Sequence, residues 1–137
     1  MRSFHVSSFN RSAAGIDAVR VLMQNLERDR AVVIFPEGTR SPNGALQKGM
    51  LGVVYLALKS QAAILPVGIT GTETFPLWRI PFPFRKMKAK IGQPFTLPVI
   101  EGKPSKEVMS SLLDMVMGRI ADQLPPEYRG LHAREAK

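Results

Sequence analysis

The chain has 137 residues, 45% of them hydrophobic and 22% charged, a composition typical of one globular domain with a hydrophobic core. It has no cysteine, which excludes disulfides, thiolate zinc sites and a cysteine nucleophile, and its two histidines make a histidine-rich metal site an unfavoured interpretation. The net charge of +8 indicates an anionic partner, either nucleic acid, a phosphorylated small molecule or an acidic membrane surface, with solubility alone as the plain alternative.

The N-terminal half begins with a predicted helix and a predicted strand. Apolar residues recur at helical spacing over 14–28, which predicts an amphipathic helix capped by Ser12. The run 31–35 is short, apolar and rich in β-branched residues, which predicts a strand buried on both faces, as in a parallel sheet. Turn-forming residues dominate 36–44 and predict a loop.

A second helix, 47–60, and a second strand, 63–69, complete a predicted strand–loop–helix–strand unit. Such a crossover implies right-handed parallel pairing of its two strands. The fold class is therefore predicted as α/β, a largely parallel twisted sheet with flanking helices. Further along, 74–85 is proline-rich and irregular, and 87–91 alternates lysine with apolar residues as an edge strand does.

The last predicted helix spans 105–123 and is ended by two consecutive prolines. The domain is predicted to cover 1–130, and the residues 131–137 to form a polar, frayed tail. No stretch approaches the roughly 20 apolar residues that cross a bilayer. Any membrane contact of these residues is therefore expected to be peripheral.

The loop after the first predicted strand carries the residues best suited to bind a ligand. In open α/β sheets ligands bind at the carboxyl ends of strands. Gly38 lets the backbone approach a ligand, Thr39 and Ser41 offer hydroxyls, and Arg40 offers a planar fork that matches phosphate oxygens. Glu37 can orient that arginine or a substrate hydroxyl. The alternative is a solvated loop in which Glu37 and Arg40 pair with each other.

The sequence Phe-Pro-Glu-Gly-Thr-Arg-Ser at 35–41 resembles the third conserved block of the glycerol-phosphate and lysophosphatidic acid acyltransferases. In that family a turn with glycine, Leu-x-x-Gly and an apolar helix follow, as do 43–44, 46–49 and the helix from Met50 here. The strand with a central proline at 64–69 is similar to the fourth block. Asn10-Arg11 takes the place of the Asp-Arg pair that ends the second block, with asparagine as a departure.

The resemblance, which covers about residues 8–130, implies a role for several positions. It implies acyl transfer from acyl-CoA or acyl-carrier protein to the hydroxyl of a glycerol phosphate or lysophosphatidate acceptor, in phospholipid biosynthesis and without a cofactor. Pro66 would line the acyl-donor side. The residues implied to bind the acceptor phosphate or shape its pocket are Arg11, Glu37, Gly38, Thr39, Arg40 and, as a weaker candidate, Lys48.

The family's catalytic His-x4-Asp block does not occur in these 137 residues. There the histidine is the general base and the aspartate fixes its tautomer and supports its charge. His5 has the spacing but is followed by Asn10, which cannot stabilise an imidazolium as a carboxylate does, and the same Asn10 is used by the second-block alignment. We expect no catalytic residue here, and an N-terminally truncated enzyme rather than a short paralogue that only binds phospholipid phosphate.

Aromatic residues and cations alternate over 78–90. One interpretation is a membrane-interface patch on anionic lipid, and the other is a proline-shaped loop packed on the core and followed by a solvated lysine edge strand. Nucleic-acid binding is not expected, because no zinc knuckle, RNA-recognition signature, helix-turn-helix or P-loop occurs. The resemblance and the charge together predict a cytoplasmic protein that associates peripherally with an anionic membrane.

Overall fold

The structure, a computed structural model, describes residues 14–71 and 87–133. The chain divides into two compact units, Met1–Val33 and Ile34–Lys137. The described part of the first unit contains a helix, α1, over Ala14–Glu27, which confirms the helix predicted there. Its predicted cap, Ser12, lies outside the described residues.

Helix α1 ends in a side-chain and backbone cap built around Asn25. The side-chain Nδ2 of Asn25 donates to the backbone carbonyl of Val21 over 2.8 Å, and its side-chain Oδ1 accepts from the guanidinium of Arg30 over 3.2 Å. The chain leaves the helix through Asp29, which has a φ of 54°. Asparagine and aspartate tolerate such turns because their short polar side chains bond to nearby backbone.

The second unit contains two helices and one small sheet. Its elements in chain order are α2 (Gly52–Ser60), β1 (Val67–Thr70), β2 (Lys88–Ile91) and α3 (Lys106–Ala121), followed by 3₁₀ turns over Pro126–Tyr128 and Gly130–His132. The predicted strands at 63–69 and 87–91 and the predicted helix at 105–123 are therefore confirmed, with shifted bounds.

The two strands of the sheet are antiparallel. Val67 pairs with Ile91 and Thr70 with Lys88. The ladder is interrupted at Pro66, which has no N–H to donate. Beyond it, Ile64 and Phe95 form one further antiparallel bridge. The mixed helix-and-strand class is thus confirmed, but the parallel pairing predicted for the sheet does not occur among the described residues.

The prediction of a buried strand at 31–35 is wrong. These residues form no ladder, and the side chains of Val33 and Phe35 are 80% and 72% exposed rather than buried. A strand is stabilised by hydrogen bonds to a neighbouring strand, and no described segment pairs with this run. Apolar β-branched composition alone does not supply that neighbour.

Helix α2 begins five residues later than predicted, because the backbone before it is engaged elsewhere. The N–H of Met50 donates to the carbonyl of Pro36 over 2.8 Å, which holds 47–50 in the loop. Helix α3 begins where expected, since Ser105 is its cap and accepts from the N–H of Val108 over 3.3 Å.

The core of the second unit lies between α2 and α3. Val54 on α2 and Val116 and Met117 on α3 are almost completely buried. Leucines from the loop before α2 and from the connecting segments pack at the sides of this cluster. The buried residues of the core are Leu46, Val54, Ala57, Leu97, Leu112, Leu113, Val116, Met117, Ala121 and Leu124. The core therefore ties the loop before α2 to α3 through Leu46.

The predicted tail, 131–137, starts inside a 3₁₀ turn. His132 is half-buried in that turn, and its Nε2 is buried without a hydrogen-bond partner among the described residues, while Leu131 is 80% exposed. The remainder of the predicted tail, 134–137, lies outside the described residues.

Candidate functional site

The loop that precedes α2 is closed on itself by two backbone hydrogen bonds. The N–H of Gly38 donates to the carbonyl of Phe35 over 3.1 Å, and the N–H of Met50 donates to the carbonyl of Pro36 over 2.8 Å. The loop predicted over 36–44 is confirmed, and it extends to residue 50. Both ends of the candidate site are therefore fixed by backbone contacts.

Gly38 occupies a position that only glycine fits without strain. Its φ is +66°, in the left-handed region, and a Cβ built on it would meet the Sδ of Met50. The residue predicted to bring backbone close to a ligand is thus the one where the chain turns. Thr39 and Arg40 follow directly and are exposed.

The carboxylate of Glu37 is turned into the loop. Its Oε2 accepts a hydrogen bond from the N–H of Gln47 over 2.8 Å, and the side chain is half-buried. The alternative in which Glu37 pairs with Arg40 does not occur among the described contacts. The carboxylate therefore works as an internal clamp on the loop backbone.

A cluster of three polar side chains holds the outer part of the loop. Ser41 was predicted to offer its hydroxyl to a ligand, but its contacts lie inside the loop, and Asn43 and Gln47 were not predicted to join it. The Oγ of Ser41 lies 2.6 Å from the carbonyl oxygen of Ala45 and 3.0 Å from the Oδ1 of Asn43. The Nε2 of Gln47 donates to the same carbonyl over 2.8 Å and lies 3.1 Å from the Oδ1 of Asn43. Short polar residues beside a glycine were the available signal, because they often bond to local backbone.

The cations of the loop are left for solvent or a ligand. Arg40 and Lys48 are both exposed, and within the described part of the chain neither has an ion pair or a hydrogen bond from its side chain. Lys48 follows Gln47, so its backbone lies beside the Glu37 clamp. The structure thus places Glu37, Gly38, Thr39, Arg40 and Lys48 on one closed loop.

Two other predicted candidates, Arg11 and His5, lie outside the described residues. His132 is not part of this loop, since it lies in the 3₁₀ turn Gly130–His132, which contacts α3. The grouping of Arg11 with Arg40 therefore stays a prediction.

The loop is anchored to the core at two points. Leu46 is buried, and its N–H donates to the carbonyl of Tyr128 over 2.8 Å. Gly49 packs so closely on α3 that an added Cβ would lie 2.7 Å from the Sδ of Met117 and 2.9 Å from the Cδ1 of Leu113. The exposed cations are therefore carried by a backbone with buried supports, which favours a defined binding surface.

Across 14–71 and 87–133, no three His, Asp or Glu side chains are grouped closely enough to hold a metal ion. The helices of that part of the chain are too short or too polar to cross a bilayer.

A family model described as Acyltransferase matches residues 1–70, just over half of the chain, including every loop residue named above. The chain belongs to the acyltransferase family. The resemblance drawn from the motif at 35–41 is thereby confirmed.

Individual relatives agree with this family assignment. The 1-acyl-sn-glycerol-3-phosphate acyltransferase of Cocos nucifera is 29% identical over 120 residues, which cover 87% of this chain and 38% of that protein. The protein of the same name from Limnanthes alba is 43% identical over 63 residues, which cover 46% of this chain and 21% of that one.

A solved structure shares the fold. The 1-acyl-sn-glycerophosphate (LPA) acyltransferase PlsC from Thermotoga maritima superposes with a TM-score of 0.52 at 27% identity, over 74% of this chain and 43% of that one. The chain thus spans less than half the length of these acyltransferases.

Proposed function

We propose that this chain provides the acceptor-binding part of an enzyme that acylates a glycerol phosphate or lysophosphatidate in phospholipid biosynthesis. The acyl group would come from acyl-CoA or acyl-carrier protein. In that reaction the acceptor hydroxyl attacks the thioester carbonyl, a C–O bond forms, the C–S bond breaks, and the thiol leaves as the hydroxyl proton is removed by a base.

The observation that carries this proposal is the arrangement of charges on the closed loop. Because Glu37 is used by the N–H of Gln47, the guanidinium of Arg40 keeps its planar fork for an external anion. A fork of this kind binds a phosphate monoester through two parallel hydrogen bonds. Thr39 and Lys48, both exposed, supply a hydroxyl and a second positive charge nearby.

The name carried by the relatives supports lysophosphatidate as the acceptor, since both proteins described above are named for 1-acyl-sn-glycerol-3-phosphate. The phosphate is the part of that acceptor which an arginine loop recognises. Arg11 is proposed to contact the same phosphate, as the family resemblance implies, although it lies outside the described residues.

Acceptor binding is the direct test. We would titrate the purified 137-residue protein with a short-chain lysophosphatidate by calorimetry, using the phosphate-free monoacylglycerol as the comparison ligand. Arg40→Ala is expected to weaken lysophosphatidate binding by about tenfold or more, since a hydrogen bond to a charged group contributes about 1.5–3 kcal/mol. Arg40→Lys should recover part of the loss, because the charge remains while the fork is lost.

Lys103→Ala is the matched control, since Lys103 is an exposed cation with no described side-chain contact. It removes one positive charge without touching the loop, so its affinity should match that of the wild type. Equal losses in Arg40→Ala and Lys103→Ala would reduce the effect to net charge and would contradict the proposal.

We expect no acyl transfer by these 137 residues alone. A base is needed to remove the hydroxyl proton, and the 137 residues contain no His-x4-Asp, since Asn10 follows His5 at that spacing and Lys137 follows His132. Thiol release from acyl-CoA should therefore show no dependence on lysophosphatidate. The second candidate function, phospholipid-phosphate binding without catalysis, predicts the same binding and the same absence of release.

A peripheral position on the cytoplasmic side of an anionic membrane completes the proposal. The net charge of +8 supports attraction to anionic lipid, and the proposed acceptor and product both reside in bilayers. Co-sedimentation with phosphatidylglycerol vesicles, but not with phosphatidylcholine vesicles, is the expected result. Equal sedimentation with both would argue against an electrostatic membrane contact.

A further inference from the structure

A cleft of about 610 Å³ lies on one face of the small sheet, and none of the residues proposed to bind the acceptor is among those that line it. Cross-strand partners share a face of a sheet, so Gly68 with Lys90 and Thr70 with Lys88 all belong to this face. The turn after α3 forms the opposite wall and contributes Arg129. The cleft is thus a separate concave site with three cations.

The lining of the cleft favours an anion. Among the described residues no carboxylate lines it, and Lys88, Lys90 and Arg129 form no ion pair there. Lys88 and Lys90 are two residues apart on one strand, so they project to the same side and repel each other at a spacing of about 7 Å. A bound anion would relieve this repulsion.

Backbone contacts occupy only part of the donor capacity of these cations. The Nε of Arg129 donates to the carbonyl of Leu124 over 3.0 Å, which leaves the terminal nitrogens of the guanidinium for a ligand. The Nζ of Lys90 lies 3.5 Å from the carbonyl oxygen of Asp122, a contact at the limit of a hydrogen bond. Lys88 makes no described side-chain contact.

We propose that this cleft binds the phosphate groups of a nucleotide-linked acyl donor, the acyl-CoA class. The preference for phosphate rests on the cleft itself, whereas the choice of an acyl donor rests on the proposed function. The volume lies within the range of small-molecule sites, while a protein carrier would require a much larger and flatter contact.

The position of the cleft suits a donor. Arg129 follows Tyr128, whose carbonyl accepts the N–H of Leu46 from the acceptor loop, so one short segment borders both places. The phosphates of CoA are separated from the thioester by the pantetheine arm. A donor held by its phosphates in the cleft can therefore extend its thioester away from the cleft.

The test titrates the full 137-residue protein with coenzyme A at low salt by calorimetry. The double substitution Lys88→Gln/Lys90→Gln is expected to weaken coenzyme A binding by about tenfold or more, because each charge-assisted hydrogen bond contributes measurably to affinity. The matched control, Lys103→Gln/Lys106→Gln, removes the same charge from exposed residues outside the cleft and should bind as the wild type does. Circular dichroism checks that all variants are folded.

Amide chemical shifts locate the ligand independently of affinity. Coenzyme A should shift the amide signals of Thr70, Lys88 and Arg129, and dephospho-coenzyme A, which lacks one phosphate, should bind more weakly. Absence of coenzyme A binding, equal loss in both double variants, or shifts confined to other residues would overturn the proposal. Inorganic phosphate binding as tightly as coenzyme A would also overturn the nucleotide assignment.

Separate arms distinguish this proposal from the acceptor site and from a membrane contact. Arg40→Ala should leave coenzyme A binding unchanged, while Lys88→Gln/Lys90→Gln should leave lysophosphatidate binding unchanged. Failure of Arg40→Ala to weaken lysophosphatidate binding would contradict the proposed function and not the cleft. If the lysine double variant loses phosphatidylglycerol vesicle binding but keeps coenzyme A binding, the cleft proposal is overturned in favour of lipid.

Discussion

The Oε2 of Glu37 and the backbone N–H of Gln47 are joined by a hydrogen bond of 2.8 Å across the candidate loop. This bond holds the carboxylate away from Arg40. We therefore expect Glu37→Ala to weaken lysophosphatidate binding even though it removes a negative charge, because the loop loses its internal clamp. Calorimetric titration of wild type and variant measures the effect.

Glu37→Gln separates geometry from charge. The amide oxygen of glutamine can still accept from the N–H of Gln47, so this variant should bind lysophosphatidate nearly as the wild type does. If the Glu37→Ala variant instead binds more tightly, the carboxylate acts mainly by repelling the phosphate, and the clamp interpretation is wrong.

Gly38→Ala should cost stability mainly through backbone strain. A left-handed φ costs a residue with a Cβ about 1–2 kcal/mol, whereas the neighbouring Met50 side chain is flexible and 60% exposed, so it can rotate away. Gly102 has a φ of +78° with open space around it, so Gly102→Ala measures strain alone. Urea denaturation should show a similar decrease in the free energy of unfolding for the two variants. A much larger decrease for Gly38→Ala would mean that the Met50 side chain cannot move away from the added methyl group.

Gly49→Ala should be more damaging for a different reason. The added methyl group would meet Met117, which is fully buried and cannot move aside, and overpacking a core costs about 1–3 kcal/mol. Gly52→Ala is the control, since nothing lies near that position at the start of α2. It should be neutral or slightly stabilising, because alanine has the higher helix propensity but Gly52 is only the first helical residue. Equal effects in the two variants would contradict the tight contact on α3.

Ser105→Ala should lower the free energy of unfolding by about 1 kcal/mol at neutral pH, because the cap to the N–H of Val108 is lost. The control Ser110→Ala changes an exposed serine within α3 and should be neutral or slightly stabilising. Thermal or urea unfolding of both variants gives the comparison, and equal losses would argue against the cap.

The cap also has a pH signature. The hydrogen bond from its own backbone amide, and then the side chain of Ser105, hold the pKa of Glu107 below its ordinary value. A carboxyl whose pKa is lower in the folded state adds stability above its unfolded pKa, and this contribution is lost as the pH falls through the folded pKa. The loss of unfolding free energy in Ser105→Ala should therefore be smaller in acid than at neutral pH. A loss that grows as the pH falls would contradict this linkage.

Local signals in the sequence predicted α3 well, because helical spacing of apolar residues and the proline pair after the helix act on neighbouring residues. The cap at Ser105 is a further local signal that the structure adds. The run 31–35 was predicted wrongly because strand formation depends on a partner elsewhere, which composition does not reveal. The late start of α2 has a similar cause, since the N–H of Met50 is used by Pro36.

The candidate site was predictable in its exposed residues and not in its supports. Arg40 and Gly38 could be found because turn formers and a side chain suited to phosphate stand in the same short loop. The clamp from Glu37 to Gln47 and the cluster of Ser41 and Asn43 depend on how the loop folds back, which residue types do not specify.

The hydrogen bond between Leu46 and Tyr128 joins positions separated by more than half of the chain. During synthesis the ribosome must deliver the whole sheet and α3 before this contact can form. The loop with Arg40 therefore leaves the ribosome long before its anchor does, and a nascent chain arrested ahead of Tyr128 carries the residues proposed to bind phosphate without the backbone bond that fixes them.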